Sequence, residues 1–256
     1  MGELFFRSFG EGEPIIILHG LFGSSDNWVS IAKMLSNNHC VYLLDLRNHG
    51  QSFHDESFTY DDMANDVEHF IANQGISDAI ILGHSMGGKV AMKLTAEKPT
   101  LFKGLIVVDI SPKYYPVHHK TILTGLNSIE LSHLSSRKDA DQELAHYISD
   151  IGIRQFLLKN LSRNAENEFY WKINLETISL NIENVGESLT ENAPYNGPTL
   201  FIDGSKSDYI LSSDRDLIFK LFPGATIEEI HGAGHWVHAE QPKKFVEVVN
   251  RFIARA

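Results

Sequence analysis

The eight residues ILGHSMGG at 81–88 place a serine between an apolar run and an amphipathic stretch. The run at 79–82 is typical of a buried strand, and GGKVAMKLTAEKP, which follows the serine, is typical of a helix. Gly83 and Gly87 flank Ser85 in the pattern Gly-x-Ser-x-Gly, which permits a turn too tight for larger neighbours. The alternative is a glycine-rich turn without chemistry, but the strand and the helix favour an exposed serine nucleophile.

Short apolar runs alternate with amphipathic stretches along most of the chain. Several of these runs are apolar throughout, as are parallel strands that are buried on both faces. Strands are predicted at 4–9, 15–18, 40–44, 79–82, 104–109, 199–202 and 225–230. Helical periodicity is found at 28–35, at 63–71 and after Pro242. This alternation predicts an α/β fold with a mostly parallel, doubly wound sheet.

One segment interrupts the alternation. Residues 112–196 contain no convincing strand, yet they carry helical patches with apolar faces, such as DQELAHYI and IRQFLLKNL. Glycine and proline are scarce in this segment until 193–198, so it does not read as a linker. We interpret it as a helical cap inserted into an α/β core that consists of residues 1–111 and 197–256.

Composition narrows the functional classes. The 256 residues suit one sizeable domain with an insertion, and 33 acidic against 22 basic residues leave a net charge of −11. Such a surface disfavours nucleic acids and anionic membranes as partners. Cys40 is the only cysteine, which excludes an intrachain disulfide. Without a secretory signal or a membrane-length apolar run, we predict a cytoplasmic protein with no membrane insertion. The oligomeric state is not indicated.

A second glycine-rich loop follows the strand at 15–18, in the stretch IIILHGLFGSSDNW. The backbone N–H of Leu21 in this loop and the N–H of Met86 after the serine could together hold a developing oxyanion. Each such donor is worth about 3 kcal/mol of barrier in measured cases. His19 is expected to make a structural hydrogen bond that shapes the turn.

The stretch HGAGHWVHAE at 231–240 contains the candidate base. A serine nucleophile needs a neighbouring base, and His235 lies in a glycine-rich loop between the last strand and the last helix. The spacing of His231, His235 and His238 could instead indicate a metal site. The glycines disfavour a helix there and no HExxH pattern accompanies them, so we predict no metal, and a packing role for His238.

The stretch DLRNHGQS at 45–52 contains residue types that are common in active sites, but by itself it only weakly indicates catalysis. Asp45 and Arg47 are expected to join the loops around the serine, and His49 is not assigned to catalysis. A carboxylate must still orient the base, and IDGSKSDYI at 202–210 contains two.

Five stretches together, HGLFGS, DLRNHGQS, GHSMGGK, VVDISP and GAGHWVHAE, resemble the bacterial YbfF-type esterases of the α/β-hydrolase superfamily. The resemblance runs from about residue 15 to the end of the chain. It implies a serine esterase or thioesterase with a helical cap, which acts without a metal or an organic cofactor.

The resemblance also implies a position for the acid. Most α/β-hydrolases carry it three residues beyond a glycine after the strand at 199–202, a place that Ser207 occupies here. YbfF-type esterases have serine there and take the acid from an earlier strand end, which matches Asp109. Asp109 is therefore predicted to orient His235, with Asp208 as the second choice and Asp203 as the third. Ser207 is expected to contact His235 as an auxiliary residue.

The predicted reaction is cleavage of a small-molecule acyl ester or thioester through an acyl-enzyme on Ser85. A C–C bond hydrolase or a perhydrolase on the same fold is a rival, as is a ligand-binding protein with negligible turnover. Dehalogenase and epoxide-hydrolase chemistry would need an aspartate at position 85. The physiological substrate and its acyl length are not specified by the sequence.

Overall fold

The main sheet has seven strands in a computed structural model that describes residues 2–189 and 193–256. The nine strands of the described residues are β1 (Phe6–Phe9), β2 (Glu13–Leu18), β3 (His39–Leu44), β4 (Ala79–His84), β5 (Phe102–Val108), β6 (Leu161–Arg163), β7 (Phe169–Trp171), β8 (Thr199–Gly204) and β9 (Ala225–Ile230). The order in the main sheet is β1-β3-β2-β4-β5-β8-β9. Only β1 runs antiparallel to its neighbour, and the other adjacent pairs are parallel.

Helices connect these strands and cover both faces of the sheet. The α-helices are α1 (Val29–Leu35), α2 (Tyr60–Gln74), α3 (Met86–Glu97), α4 (Lys120–Ser128), α5 (Arg137–Ala145), α6 (Ile151–Leu158), α7 (Leu175–Leu180), α8 (Ile182–Val185), α9 (Arg215–Leu221), α10 (Val237–Glu240) and α11 (Pro242–Ile253). Short 3-10 helices occupy Ser25–Asn27, Pro99–Leu101, Leu131–His133 and Ser212–Asp214. Thr59 is the N-terminal capping residue of α2, since its Oγ1 accepts a hydrogen bond from the backbone N–H of Asp62.

Strand β2 shows why the central strands are apolar at every position. Ile16 and Leu18 pack in the core layer with residues of α2 and α3, whereas Ile15 and Ile17 pack on the other face with residues of α1 and α11. Burial of each such side chain stabilises the fold by about 1.5–3 kcal/mol. The predicted α/β fold with a mostly parallel sheet is confirmed, and the predicted strand ends differ from the observed ones by two residues at most, as at β1.

Among the described residues, five helices, α4 to α8, lie between β5 and β8 in the chain, in the segment that we call the cap (residues 112–196). The expectation of no strand in this segment was wrong, because β6 and β7 pair as an antiparallel hairpin. Each has three residues, too few for an alternating pattern to be recognised. The hairpin turn contains Asn167 with φ of 66°, a conformation that asparagine tolerates better than most residues.

The two ends of the cap lie side by side where they leave the core. The backbone N–H of Tyr115 donates to Gly186 O at 2.8 Å, and the N–H of Leu189 donates to Pro112 O at 2.8 Å. We call this pair of segments, 112–115 and 186–189, the stem of the cap.

Candidate active site

The turn around Ser85 joins the end of β4 to the start of α3. Ser85 has φ of 52° and ψ of −118°, which is strained for a residue with a side chain. Its backbone N–H donates to Val108 O at 3.0 Å, so the neighbouring strand holds the turn. A Cβ on Gly83 would lie 2.1 Å from Gly87 O, and one on Gly87 would lie 2.5 Å from Leu18 O. The two motif glycines are therefore required by close backbone approach.

Asp109 and His235 are brought together from distant parts of the sequence. Asp109 directly follows β5, has φ of 53° and is 0% exposed. His235 Nδ1 lies 2.6 Å from Asp109 Oδ2, and His235 shares a cavity with Ser85. In the part of the chain that the structure describes, no hydrogen bond joins Ser85 Oγ to His235. Such bonds often form only once a substrate is bound.

Asp109 is the carboxylate that accepts the most hydrogen bonds near His235. Ser207 Oγ donates to Asp109 Oδ2 at 2.5 Å, and the backbone N–H of Gly204 donates to Asp109 Oδ1 at 3.2 Å. The hydroxyl of Ser207 thus donates to the carboxylate oxygen that also lies next to His235 Nδ1. Asp208 is exposed, so of the three carboxylates considered it is poorly placed to orient the partly buried imidazole of His235.

Burial dominates the electrostatics of this pair. It raises the pKa of Asp109 to about 6, while hydrogen bonds from Ser207, Asp203 and the Gly204 N–H act in the opposite direction. Burial and, to a smaller extent, the nearby His118 lower the pKa of His235 to about 4. At neutral pH His235 is therefore an uncharged imidazole beside a carboxylate, which is the form that a general base needs.

His84, the residue before the serine, supports the loop that carries His235. Its Nε2 lies 2.9 Å from His235 O, and the imidazole is fully buried with its pKa well below the usual value because of desolvation. Nε2–H is accordingly the donor. In the pattern Gly-x-Ser-x-Gly this position is variable, so no role for His84 was predicted. A polar residue at the end of an otherwise apolar strand was the available signal.

The contact of Tyr209 with His235 was also not predicted from the sequence. Its ring stacks on the imidazole of His235, with 4.0 Å between centroids and 17° between planes. The hydroxyl of Tyr209 forms a hydrogen bond of 2.7 Å with Nε2 of His118, a cap residue. The backbone N–H of Tyr209 donates to Ser207 Oγ at 3.3 Å. The loop after β8 therefore contacts both Asp109 and His235.

The two backbone donors predicted for an oxyanion lie close to Ser85 in the fold. Met86 is the first residue of α3, where a backbone N–H has no acceptor inside the helix. Leu21 lies in a turn that is closed by the hydrogen bond from Gly23 N–H to Gly20 O at 2.9 Å. Leu21 and Met86 line the same small cavity as Ser85.

The loop that carries Leu21 is held by two buried histidines. His19 Nδ1 lies 2.8 Å from Gly20 O, and His19 Nε2 accepts a hydrogen bond from Leu46 N–H at 3.0 Å. His49 Nε2 accepts from Phe22 N–H at 3.2 Å. Burial lowers the pKa of His19 to about 4, so it is neutral and can accept this bond. Both histidines therefore shape the loop.

Asp45 and Arg47 join the same group of loops. Asp45 Oδ1 accepts from Ser25 N–H at 2.6 Å and its Oδ2 accepts from Gln51 N–H at 2.8 Å. Arg47 forms a bidentate ion pair with Asp66, with Nε 2.5 Å from one carboxylate oxygen and Nη2 2.9 Å from the other. These contacts agree with the structural role predicted for DLRNHGQS.

Two cavities meet at Ser85. The larger, of about 240 Å³, is lined by His235 and by apolar residues that include Trp28, Phe156 and Trp236. The smaller, of about 30 Å³, is lined by residues of both the core and the cap: Tyr60, Met86, Tyr115, Val185 and Gly186. A substrate with two arms could thus be bound on both sides of the serine.

The remaining candidates do not form a site. Within residues 2–189 and 193–256, no group of three His, Cys, Asp or Glu side chains is arranged to hold a metal ion. His238 stacks on Trp28, with 3.8 Å between ring centroids. The helices of the described residues are all too short or too polar to cross a membrane.

A mostly parallel sheet with a serine in a tight strand–helix turn defines an α/β hydrolase, and a family profile described as alpha/beta hydrolase fold matches residues 13–127. The chain belongs to this family. It is 38% identical over 256 residues to sn-1-specific diacylglycerol lipase ABHD11 of Danio rerio, covering 97% of this chain and 80% of the relative. It is 36% identical to Esterase YbfF of Escherichia coli strain K12, covering 94% and 92%. A solved marine microorganism esterase superposes with a TM-score of 0.96 at 46% identity, covering 98% and 100%.

Proposed function

We propose that this serine ester hydrolase acts through Ser85 as nucleophile, His235 as general base and acid, and Asp109 as the residue that orients His235. The observation that carries the proposal is the 2.6 Å contact between His235 Nδ1 and the buried carboxylate of Asp109, beside a cavity that contains Ser85. Relatives that share most of the chain's length are named as an esterase and a lipase, which supports an ester as the substrate.

In the proposed first half-reaction, Ser85 Oγ attacks the ester carbonyl carbon. His235 Nε2 takes the hydroxyl proton, because Nδ1 is occupied by Asp109. The carbonyl π electrons move to oxygen, and the backbone N–H groups of Leu21 and Met86 stabilise the oxyanion. When the carbon–oxygen bond breaks, His235 returns the proton to the leaving alcohol and the acyl group stays on Ser85.

In the proposed second half-reaction, water replaces the alcohol. His235 takes a proton from the water while the oxygen attacks the acyl carbon, and the collapse of the second tetrahedral intermediate returns that proton to Ser85 Oγ. Asp109 stabilises the imidazolium that forms in both halves. The carboxylate of Asp109 is suited to this role because Ser207 and Gly204 hold it in place by hydrogen bonds.

A thioester is part of the same proposal, because the steps are unchanged when a thiol leaves in place of an alcohol. The larger cavity beside Ser85 is mainly apolar, which suits a small-molecule acyl ester or thioester. The predicted cytoplasmic location also stays in the proposal, and fractionation of cells that produce the protein would test it.

The test is steady-state hydrolysis of p-nitrophenyl acetate by the purified protein. We expect continuous release of p-nitrophenol, and a loss of kcat by a factor of about 10⁶ in Ser85→Ala. Ser30→Ala, which changes an exposed serine on α1, is the matched control and should retain the wild-type rate. A single stoichiometric burst from the wild type would indicate a binding protein, and steady turnover by Ser85→Ala would exclude the proposed nucleophile.

A further inference from the structure

Lys89 is a buried titratable residue that the proposed reaction does not use. It lies four residues after Ser85 on α3, and its backbone N–H donates to Ser85 O at 3.1 Å. The side chain is 0% exposed. Its ammonium group donates to the backbone carbonyl oxygens of Lys113 at 3.0 Å, Gly186 at 3.2 Å and Glu187. Three carbonyl acceptors match the three donors of an ammonium group.

These three carbonyls belong to both ends of the cap. Lys113 lies in the outgoing half of the stem, and Gly186 and Glu187 lie in the returning half. The two halves are also joined to each other by backbone hydrogen bonds. One side chain on the helix that begins beside the nucleophile therefore fastens both ends of the cap to the core.

The same ammonium group stands behind the wall of the small cavity. Lys89 Nζ lies 5.7 Å from the ring centroid of Tyr60 and 5.0 Å from that of Tyr115, within the range of cation–π contacts. The hydroxyl of Tyr60 donates to Val185 O at 2.7 Å. Tyr60, Tyr115, Val185 and Gly186 all line the small cavity. Lys89 thus holds this wall in place without reaching the cavity.

The arrangement around Ser85 indicates which arm of an ester lies in the small cavity, if the proposed function holds. The leaving oxygen must be protonated by His235, which lines the larger cavity and is absent from the lining of the smaller one. The acyl chain then extends into the small cavity, beside the Met86 N–H. A volume of about 30 Å³ has room for two or so water-sized groups, which corresponds to a short acyl tail.

We propose that Lys89 is the specificity-determining residue for acyl length. By fastening both halves of the stem to α3, it keeps the small cavity at a size that admits short acyl tails. The substrate class is then an ester of a short carboxylic acid with a larger apolar alcohol. This inference rests on the proposed function, because it assigns the two arms of an ester from the role of His235.

The test compares p-nitrophenyl acetate with p-nitrophenyl octanoate in Lys89→Met, which keeps the length of the side chain but removes its donors. We expect the wild type to prefer acetate, and the octanoate-to-acetate ratio of kcat/KM to rise by about tenfold or more in the variant. Lys93→Met is the matched control. It lies on the same helix and loses ion pairs with Asp61 and Glu97, but it lines neither cavity, so its ratio should equal that of the wild type.

A purely structural role for Lys89 predicts a different result. Lys89→Met would then lower the melting temperature and both rates in proportion, and an unchanged ratio would overturn the proposal. A wild type that prefers octanoate would overturn it as well. If Lys89→Met does not fold, Tyr60→Phe replaces it, because loss of the hydroxyl releases Val185, and the ratio must again rise. A wild type that hydrolyses neither ester would instead remove the proposed function.

Discussion

The ends of β5 and β8 lie next to each other in the sheet, and both bring acidic residues to the candidate site. Asp109 at the end of β5 is fully buried and contacts His235. Asp208, in the loop after β8, is exposed. A position near these strand ends is therefore not sufficient for a carboxylate to contact His235. The contact is made by the carboxylate that is buried beside the imidazole.

The loop after β8 contributes donors where β5 contributes the carboxylate. The hydroxyl of Ser207 and the backbone N–H of Gly204 both bond to Asp109, and Asp203 also forms a hydrogen bond with it. The two strand ends therefore have different roles. The end of β5 supplies a negative charge, and the end of β8 with its following loop supplies the groups that hold that charge in a single orientation.

The largest expected loss of kcat is at Asp109, the buried carboxylate of the two. Asp109→Asn should lower kcat for p-nitrophenyl acetate by about 10⁴, because an amide holds His235 in the wrong tautomer. Asp208→Asn, the matched change in the neighbouring loop, should stay within about twofold of the wild type, since an exposed charge contributes little. Steady-state kinetics of the two variants would decide the assignment. The reverse order of the two losses would move the acid to the loop after β8.

An intermediate effect is expected at Ser207. Its hydroxyl donates to a charged carboxylate, and such bonds contribute about 1.5–3 kcal/mol, so Ser207→Ala should lower kcat by roughly ten- to a hundredfold. Loss of the donor also raises the pKa of Asp109 further, so the acid limb of the kcat profile should move to higher pH. Ser207→Thr retains a hydroxyl and should recover most of the activity. An unchanged pH profile in Ser207→Ala would show that the bond does not hold Asp109.

Among Asp109, Ser207 and Asp203, the smallest effect on rate is expected at Asp203. Burial and the adjacent Asp109 raise the pKa of Asp203 from 3.8 to about 8, so it is protonated at neutral pH and resembles an amide. Asp203→Asn should therefore change kcat at pH 7 by about threefold or less.

The protonation state of Asp203 should affect the free energy of unfolding more than it affects kcat. Between pH of about 4 and 8 the unfolded chain releases a proton that the folded chain keeps on Asp203, so folding stability falls as the pH rises through this window. In Asp203→Asn that contribution is absent. Urea unfolding at the two ends of the window measures it, with Asp208→Asn as the control that keeps the wild-type slope. If the free energy of unfolding changed with pH by the same amount in the wild type and in Asp203→Asn, Asp203 would be ionised in the folded protein.

The fold was predictable because the central strands are apolar on both faces, so each strand is visible as a continuous run. Ser85 and His235 could be named as candidates from the sequence, since each lies in a glycine-rich stretch between a strand and a helix. Asp109 became a candidate only through the resemblance, because a carboxylate at a strand end is common. The β6–β7 hairpin was missed because three-residue strands carry no period.

Other features depend on tertiary contacts that no local pattern encodes. His84 acts on a carbonyl 151 positions away, and Tyr209 reaches His235 only because the loop after β8 folds back over the site. The role of Lys89 is equally hidden. On α3 it reads as an ordinary helical lysine, and its partners are backbone carbonyls, which have no sequence signature.

The backbone of Ser85 has a consequence for how such a chain can change. With φ of 52°, this position would suit glycine better than serine, and a non-glycine residue there destabilises the fold by about 1–3 kcal/mol. Under the proposed function, a change of Ser85 to glycine would relieve this strain and remove the nucleophile. A serine that persists at this position is thus maintained against the preference of its own backbone.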